Sequence, residues 1–338
     1  MFAVNVGVAY LPVLWYNTSD GKVITLFEKE KPMMINKLKK HISDYFVGKE
    51  ETIENLLICL FSGGHILLEG IPGVGKTTLA STLAKSVRCD FGRIQFTPDT
   101  LPSDVMGTEI FNMKTGGFEY REGAIMHQIV LADEINRTSP KTQASLLEAM
   151  AEGQTTVSGV KHKLPQPFMV IATQNPVEFM GTYPLPEAQI DRFMMKLTID
   201  YPEESEELRM TKNMLEGKTT DTVESVITAE DVIKIKEQVS SVTIKDEVIR
   251  YARNIAEMTR NEKRFVLGAS PRAVLDLVKA SQAKAFIEGR DFVKPDDVKA
   301  VAPFVLEHRI TLTSEAKIAK EDKSDIIQKL IYKTKLPL

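Results

Sequence analysis

The chain predicts an α/β fold: a core built on a five-stranded parallel sheet, followed by an all-helical domain. Three observations carry this. Residues 70–77 read Gly70-Ile71-Pro72-Gly73-Val74-Gly75-Lys76-Thr77, the G-x-x-x-x-G-K-S/T pattern of a phosphate-binding loop. Five short apolar runs, at 65–68, 93–96, 128–132, 168–172 and 194–199, alternate with helical stretches, as in a parallel sheet covered on both faces. Beyond Tyr201-Pro202 strand patterning almost stops and helical periodicity takes over.

The elements follow in order. Ile35, Leu38 and Ile42, then Ile53, Leu56, Leu57 and Leu60, have helical spacing, broken by a short loop at 45–50. His65-Ile66-Leu67-Leu68 is a buried strand, and Thr77 to Ala84 has helical spacing. Strand, loop, helix is the context a phosphate loop requires. The third run ends in Asp133-Glu134 and the fourth in Thr173-Gln174-Asn175-Pro176. Ser139-Pro140 places a cap and a first-turn proline at a helix start. Hairpins are expected around Gly116-Gly117 and over 155–163. Helices are expected over 204–216, 229–239, 246–260, 270–288, 294–307 and 324–333. The domains are therefore 34–200 for the α/β core and 201–338 for the helical part. Residues 1–33 form an N-terminal extension or reflect a mis-called start, with Met33 or Met34 as the working one.

Composition excludes several classes. The chain has 338 residues, 43% of them hydrophobic and 26% charged, as in ordinary globular proteins. Lys and Arg total 43 against 46 Asp and Glu, a net charge of −3, so no global basic excess points to nucleic acid. The apolar stretch Phe2–Tyr16 is too short to span a bilayer as a helix and lacks signal-peptide features, so no direct membrane insertion is expected. Cys59 and Cys89 show no metal-ligand spacing and read as buried free thiols in a reducing compartment.

Phosphate chemistry explains the residue types. Gly73 and Gly75 allow the turns that aim backbone N–H groups at phosphate oxygens, with Pro72, Val74 and Thr78 completing the loop and the helix start. Lys76 supplies a charge for the β- and γ-phosphates, and the Thr77 hydroxyl suits Mg²⁺. Asp133 would bind Mg²⁺ directly or through water. Glu134 would orient and deprotonate an attacking water. The pair stands about 60 residues after Lys76, which leaves room for crossover connections. Asn175 lies at a strand's carboxyl end, where open α/β sheets put ligands. Taken alone, Asn175 would read as a turn cap before a proline.

Together these blocks resemble the AAA+ ATPases and, within them, the MoxR family. The matching blocks are GIPGVGKT, VLADEINR running on into TSPKTQASLLEAMAEGQ, IATQNP, GTYPLPEAQIDRF and GASPRA. They cover residue 34 to the end, and LPEAQIDRF is the most diagnostic. The resemblance implies an AAA+ core followed by an all-α lid, with ATP and Mg²⁺ as substrate and cofactor. It makes Arg192 an arginine finger that reaches the neighbouring subunit's nucleotide; the alternative is an ion pair with Asp191 or Glu187. It makes Arg272 a sensor in the first turn of a helix, in cis or in trans; the alternative is a solvated side chain. Val47 and Gly48 match the loop that borders the adenine, or form an ordinary turn between helices. Residues 105–123 and 152–167 match inserts that face a ring's central opening, where a client is gripped, or are plain surface hairpins. Asn136-Arg137 sits where it could face a neighbouring subunit.

The function implied is a cytoplasmic, chaperone-like ATPase in a homo-oligomeric ring, hexameric by resemblance. It would remodel partner complexes that contain von Willebrand factor A domains. Two alternatives stay open: a nucleic-acid motor or transcription activator, and the small subunit of a metal chelatase.

Overall fold

The computed structural model describes residues 15–17, 23–48, 50–175 and 181–337. Most of the proposed extension 1–33 lies outside the described residues, as does Pro176. A hairpin pairs Trp15–Asn17 with Val23–Thr25. Helix α1 then runs Leu26–Tyr45, beginning nine residues earlier than the periodicity from Ile35 implies. Helix α2 is Glu50–Phe61.

The core sheet contains β1 (Ile66–Gly70), β2 (Phe91–Gln95), β3 (Ile129–Asp133), β4 (Met169–Gln174) and β5 (Met195–Ile199). Their spatial order is β5-β1-β4-β3-β2, and every pair is parallel. Alternate side chains go to opposite faces, as strand geometry requires. Ile66, Leu68, Ile129, Leu131, Met169 and Ile171 join one apolar core. Leu67, Val130, Ala132, Val170 and Ala172 join a second core on the other face. Both faces are covered, so the strands read as continuous apolar runs rather than alternating ones.

Helix α3 (Lys76–Ser86) follows the phosphate loop and α4 (Pro140–Glu152) follows β3. Ser139 caps α4, accepting from the Thr142 N–H, and Pro140 opens its first turn. The expected hairpins pair Gly107–Asn112 with Gly117–Glu122, and Gln154–Val157 with Val160–Lys163.

The helical part comprises α5 (Glu204–Leu215), α6 (Ala229–Ser240), α7 (Asp246–Arg260), α8 (Pro271–Ile287), α9 (Pro295–Leu306) and α10 (Lys323–Lys333). Its apolar side chains, such as Tyr251, Leu277 and Val301, are continuous with the core on the first face of the sheet. Lys284 of α8 bonds Glu54 of α2, which also pairs with Lys39 of α1. Periodicity missed one feature here. Phe265–Leu267 pairs antiparallel with Thr311–Leu312, because two- and three-residue strands are too short to show a period.

His65 ties three core elements together. Its Nδ1 accepts from the Val170 N–H at 3.0 Å, and its Nε2–H donates to the Met150 carbonyl at 3.1 Å. Protonation would cost the Val170 bond, and burial lowers the pKa from 6.5 to about 4. Below pH 6.5 the unfolded chain takes up a proton that the folded chain refuses until about pH 4. Stability therefore falls as pH drops through that window. Denaturant melts at pH 7, 6 and 5 should show the fall, and His65→Gln should flatten it.

Candidate nucleotide site

The phosphate loop closes on itself. Gly73 and Gly75 have φ of +88° and +87°, a region that other residues enter only at a cost. Gly70 is needed for a different reason: a Cβ there would stand 2.5 Å from the Ile199 carbonyl oxygen of β5. Gly70→Ala should lower stability by about 1–3 kcal/mol through this overpacking, as a shift of the denaturation midpoint would show.

Lys76 donates to the Gly70 and Ile71 carbonyls. Burial pushes its pKa down, and the charges of Asp133 and Glu134 oppose this. The three groups are thus within electrostatic reach. Thr77 and Thr78 lie in the first turn of α3, after the left-handed N-cap Gly75, where free N–H groups and the helix dipole favour an anion.

Strand register sets the rest of the site. Ala172 of β4 pairs with Ala132 of β3, and Gln174 pairs with Glu69 of β1. Asp133-Glu134, Asn175 and Gly70 therefore meet at the carboxyl ends of adjacent strands. Thr173 links two of them. Its hydroxyl donates to Asp133 Oδ1 at 2.7 Å and accepts from the Glu134 N–H at 2.8 Å. Glu134 holds a left-handed backbone with φ of 57°. Its Oε2 accepts from Gln95 Nε2 and Arg137 Nη1, both at 2.9 Å. Arg137 thus serves its own chain's Glu134. Asp133 Oδ2 accepts from Arg93 Nη2 at 2.7 Å. Asn175 is buried.

Among the described residues, no cluster of three or more His, Cys, Asp or Glu forms a metal cage. The oxygen donors of Thr77 and Asp133 fit Mg²⁺, which typically takes one or two protein ligands and fills the rest with phosphate and water.

Val47 and Gly48 line a cleft with Phe46, Thr52, Val74, Tyr201 and Met210. Val47 and Val74 are buried, so the cleft begins at the phosphate loop and has apolar walls suited to a base. Sequence reading found Val47, Gly48 and Val74 but missed Tyr201 and Met210, which approach from beyond β5. It also missed Thr173, Arg93 and Gln95. Polar residues one and three positions before Phe96, on the strand next to β3, were the available signal for Arg93-x-Gln95.

The segments that carry Arg192 and Arg272 are joined by a hydrogen bond between their neighbours Asp191 and Ser270. Arg192 Nη1 donates to the Leu147 carbonyl of α4 at 3.1 Å. The ion pair with Asp191 or Glu187 is not the arrangement found. Asp191 instead accepts from Ser270 Oγ at 2.8 Å, and Glu187 accepts from the Thr311 hydroxyl. Ser270 also caps α8, and exposed Arg272 lies in that helix's first turn. Arg272 helps Arg309 favour the charged form of Asp276, though burial still raises that carboxyl's pKa.

The Gly107–Glu122 hairpin exposes Ile110, Phe111, Met113 and Phe118. Phe111 and Phe118 pack edge to face, with ring centroids 5.4 Å apart. Tyr120 stacks on His162 of the second hairpin at 3.7 Å.

Comparison with known proteins places this geometry. Residues 65–195 match the family model described as "ATPase family associated with various cellular activities (AAA)". Residues 257–330 match the AAA lid domain. The chain is 47% identical over 312 residues to YeaC of Bacillus subtilis, a protein of unassigned function, covering 92% of this chain and 98% of that one. It is 37% identical over 300 residues to Chaperone MoxR1 of Mycobacterium tuberculosis, covering 86% and 79%. The crystal structure of a Cytophaga hutchinsonii protein superposes with a TM-score of 0.85 at 39% identity, covering 91% of this chain and 96% of that one.

Proposed function

The chain belongs to the MoxR family of AAA+ ATPases, and from that membership we propose that it hydrolyses ATP at the interfaces of a homo-oligomeric ring, a hexamer, to remodel or activate partner protein complexes. The supporting observation is the convergence of the phosphate loop, Asp133-Glu134 and Asn175 at the carboxyl ends of β1, β3 and β4.

In this reading the loop amides and Lys76 hold the triphosphate, while the cleft at Val47, Gly48 and Tyr201 receives the base. Thr77 and Asp133 would hold Mg²⁺, which would supply positive charge against the triphosphate. Glu134 orients water and takes its proton, and Asn175 holds the water or the γ-phosphate. Reaching water requires Glu134 to leave Gln95 and Arg137. Arg192, whose side chain in its own chain donates to the Leu147 carbonyl of α4, completes the neighbouring subunit's site.

The partner class is a protein with a von Willebrand factor A domain, gripped where the two stacked hairpins present Phe111, Met113 and Phe118. No helix among the described residues is long and apolar enough to cross a membrane, and the proposed location is the cytoplasm.

The test is a pull-down with tagged Glu134→Gln, which binds ATP without cleaving it, in the native cell with ATP and Mg²⁺. Enrichment of a von Willebrand A-domain protein, lost on adding Lys76→Ala, supports the reading. Recovery of nucleic acid or DNA-bound factors overturns it.

A further inference from the structure

The two residues that flank Arg192 are both held by one arginine of the helical domain. Arg309 is buried and follows α9 in a short 3-10 turn, Glu307–Arg309. Its Nη2 donates to the Asp191 carbonyl at 3.1 Å and to the Phe193 carbonyl at 2.7 Å. Its Nε lies 3.1 Å from Asp191 Oδ1. The same Nη2 reaches Asp276 Oδ2 of α8 at 2.5 Å. His308 Nε2–H donates to the Phe193 carbonyl at 2.9 Å, and Ser270 Oγ holds the Asp191 carboxylate. Residues 191 and 193 thus have their backbone and side-chain acceptors occupied by groups from 270, 308 and 309. The Arg192 side chain is left to project toward α4.

A buried guanidinium is costly to desolvate, and its planar fork keeps several acceptors in fixed relation. Hydrophobic packing alone would hold the domains together without this cost. Here one arm of the fork, Nη2, reaches both the core segment before β5 and the side of α8, from a residue just after α9. Ser270 starts α8, and Arg272 stands two residues further on. The finger segment and the sensor helix are therefore joined through Asp191, whose Oδ1 accepts from Ser270 Oγ and lies against Arg309 Nε.

We propose that Arg309 is a positioning residue: it clamps the Asp191-Arg192-Phe193 segment to the helical domain, so that the finger moves as one body with the helix bearing Arg272. Movement of the helical domain at one nucleotide site is passed through this clamp to the finger that serves the next. The proposal rests on the ring reading above.

Arg309→Lys tests it. A lysine keeps a charge beside Asp276, but it lacks the Nε that lies against Asp191 and the planar guanidinium that fixes Nη2 among its three acceptors. Turnover is measured alone and after mixing with Lys76→Ala subunits, which have a disabled site and an intact finger. Alone, Arg309→Lys should lower kcat by about tenfold while KM for ATP changes by less than about threefold, the mark of a lost transition-state interaction. Mixing should restore turnover above the sum of the two separate proteins, because intact sites then meet intact fingers. Arg192→Ala mixed with Lys76→Ala is the control. Recovery in the control but not with Arg309→Lys overturns the clamp and leaves the ring reading standing. No recovery in the control overturns the finger in trans, and the clamp with it. Unchanged kcat in Arg309→Lys also overturns the clamp. Should Arg309→Lys fail to fold, as circular dichroism would show, Ser270→Ala loosens the Asp191 carboxylate and is judged by the same criteria.

Discussion

Arg192→Ala is expected to lower ATP turnover by ~10³–10⁵, the range set by arginine fingers, while the protein keeps its fold and still binds ATP. The side chain is half-buried and its hydrogen bond goes to a single carbonyl, that of Leu147. Losing one such bond costs about 1 kcal/mol of stability, too little to unfold a chain with two extensive apolar cores. The rate effect has a different source. Charge develops on the transferred phosphoryl group only in the transition state, so removing a guanidinium aimed there is felt in kcat rather than in ATP affinity. Steady-state kinetics with a thermal melt on the same sample decide the matter. A kcat within about threefold of the parent would reduce Arg192 to a tie between the finger segment and α4.

Glu134→Gln should slow hydrolysis by ~10²–10⁴, the range of a lost general base, and leave ATP binding intact. The amide keeps an oxygen able to accept from Gln95 or Arg137, which both reach the carboxylate in the parent. The Glu134 N–H bond to Thr173 belongs to the backbone and persists. Single-turnover kinetics should show bound, uncleaved ATP, and equilibrium binding should match the parent. A comparable loss of binding would place Glu134 in nucleotide affinity instead of water activation. The two variants also differ under mixing. Arg192→Ala is rescued by partners with intact fingers, whereas Glu134→Gln subunits keep their own sites disabled whichever finger they meet.

Much of the site was legible because its residues are close in sequence. The loop from Gly70 to Thr77 declares its own geometry: glycine where φ is positive, lysine and threonine at the helix start. The Asp133-Glu134 and Asn175 positions followed from the ends of apolar runs, since such runs in a parallel sheet deliver their last residues to one edge. Val47, Gly48 and the two arginines needed family resemblance, because a turn or a lone Arg-Phe pair has no distinctive period. Helix α1 began earlier than its apolar spacing suggested. Phe265–Leu267 was invisible as a strand, since three residues cannot display alternation.

By itself, the sequence determined the phosphate loop, the five apolar strands, the helical second half and the carboxylates at the strand ends. Each of these is written within a dozen residues and obeys local rules of backbone and periodicity. Only the tertiary structure decided which groups face one another. It placed Thr173 between Asp133 and Glu134, 40 residues away for Asp133. It set Arg93 on the Asp133 carboxylate and Tyr201 beside Val47. It also directed Asp191 to Ser270 and Arg309 instead of to its neighbour Arg192. Hydrogen bonds and ion pairs act over about 3 Å of space irrespective of chain separation. Their partners are fixed by strand order and by the docking of the helical domain, which local sequence patterns do not encode.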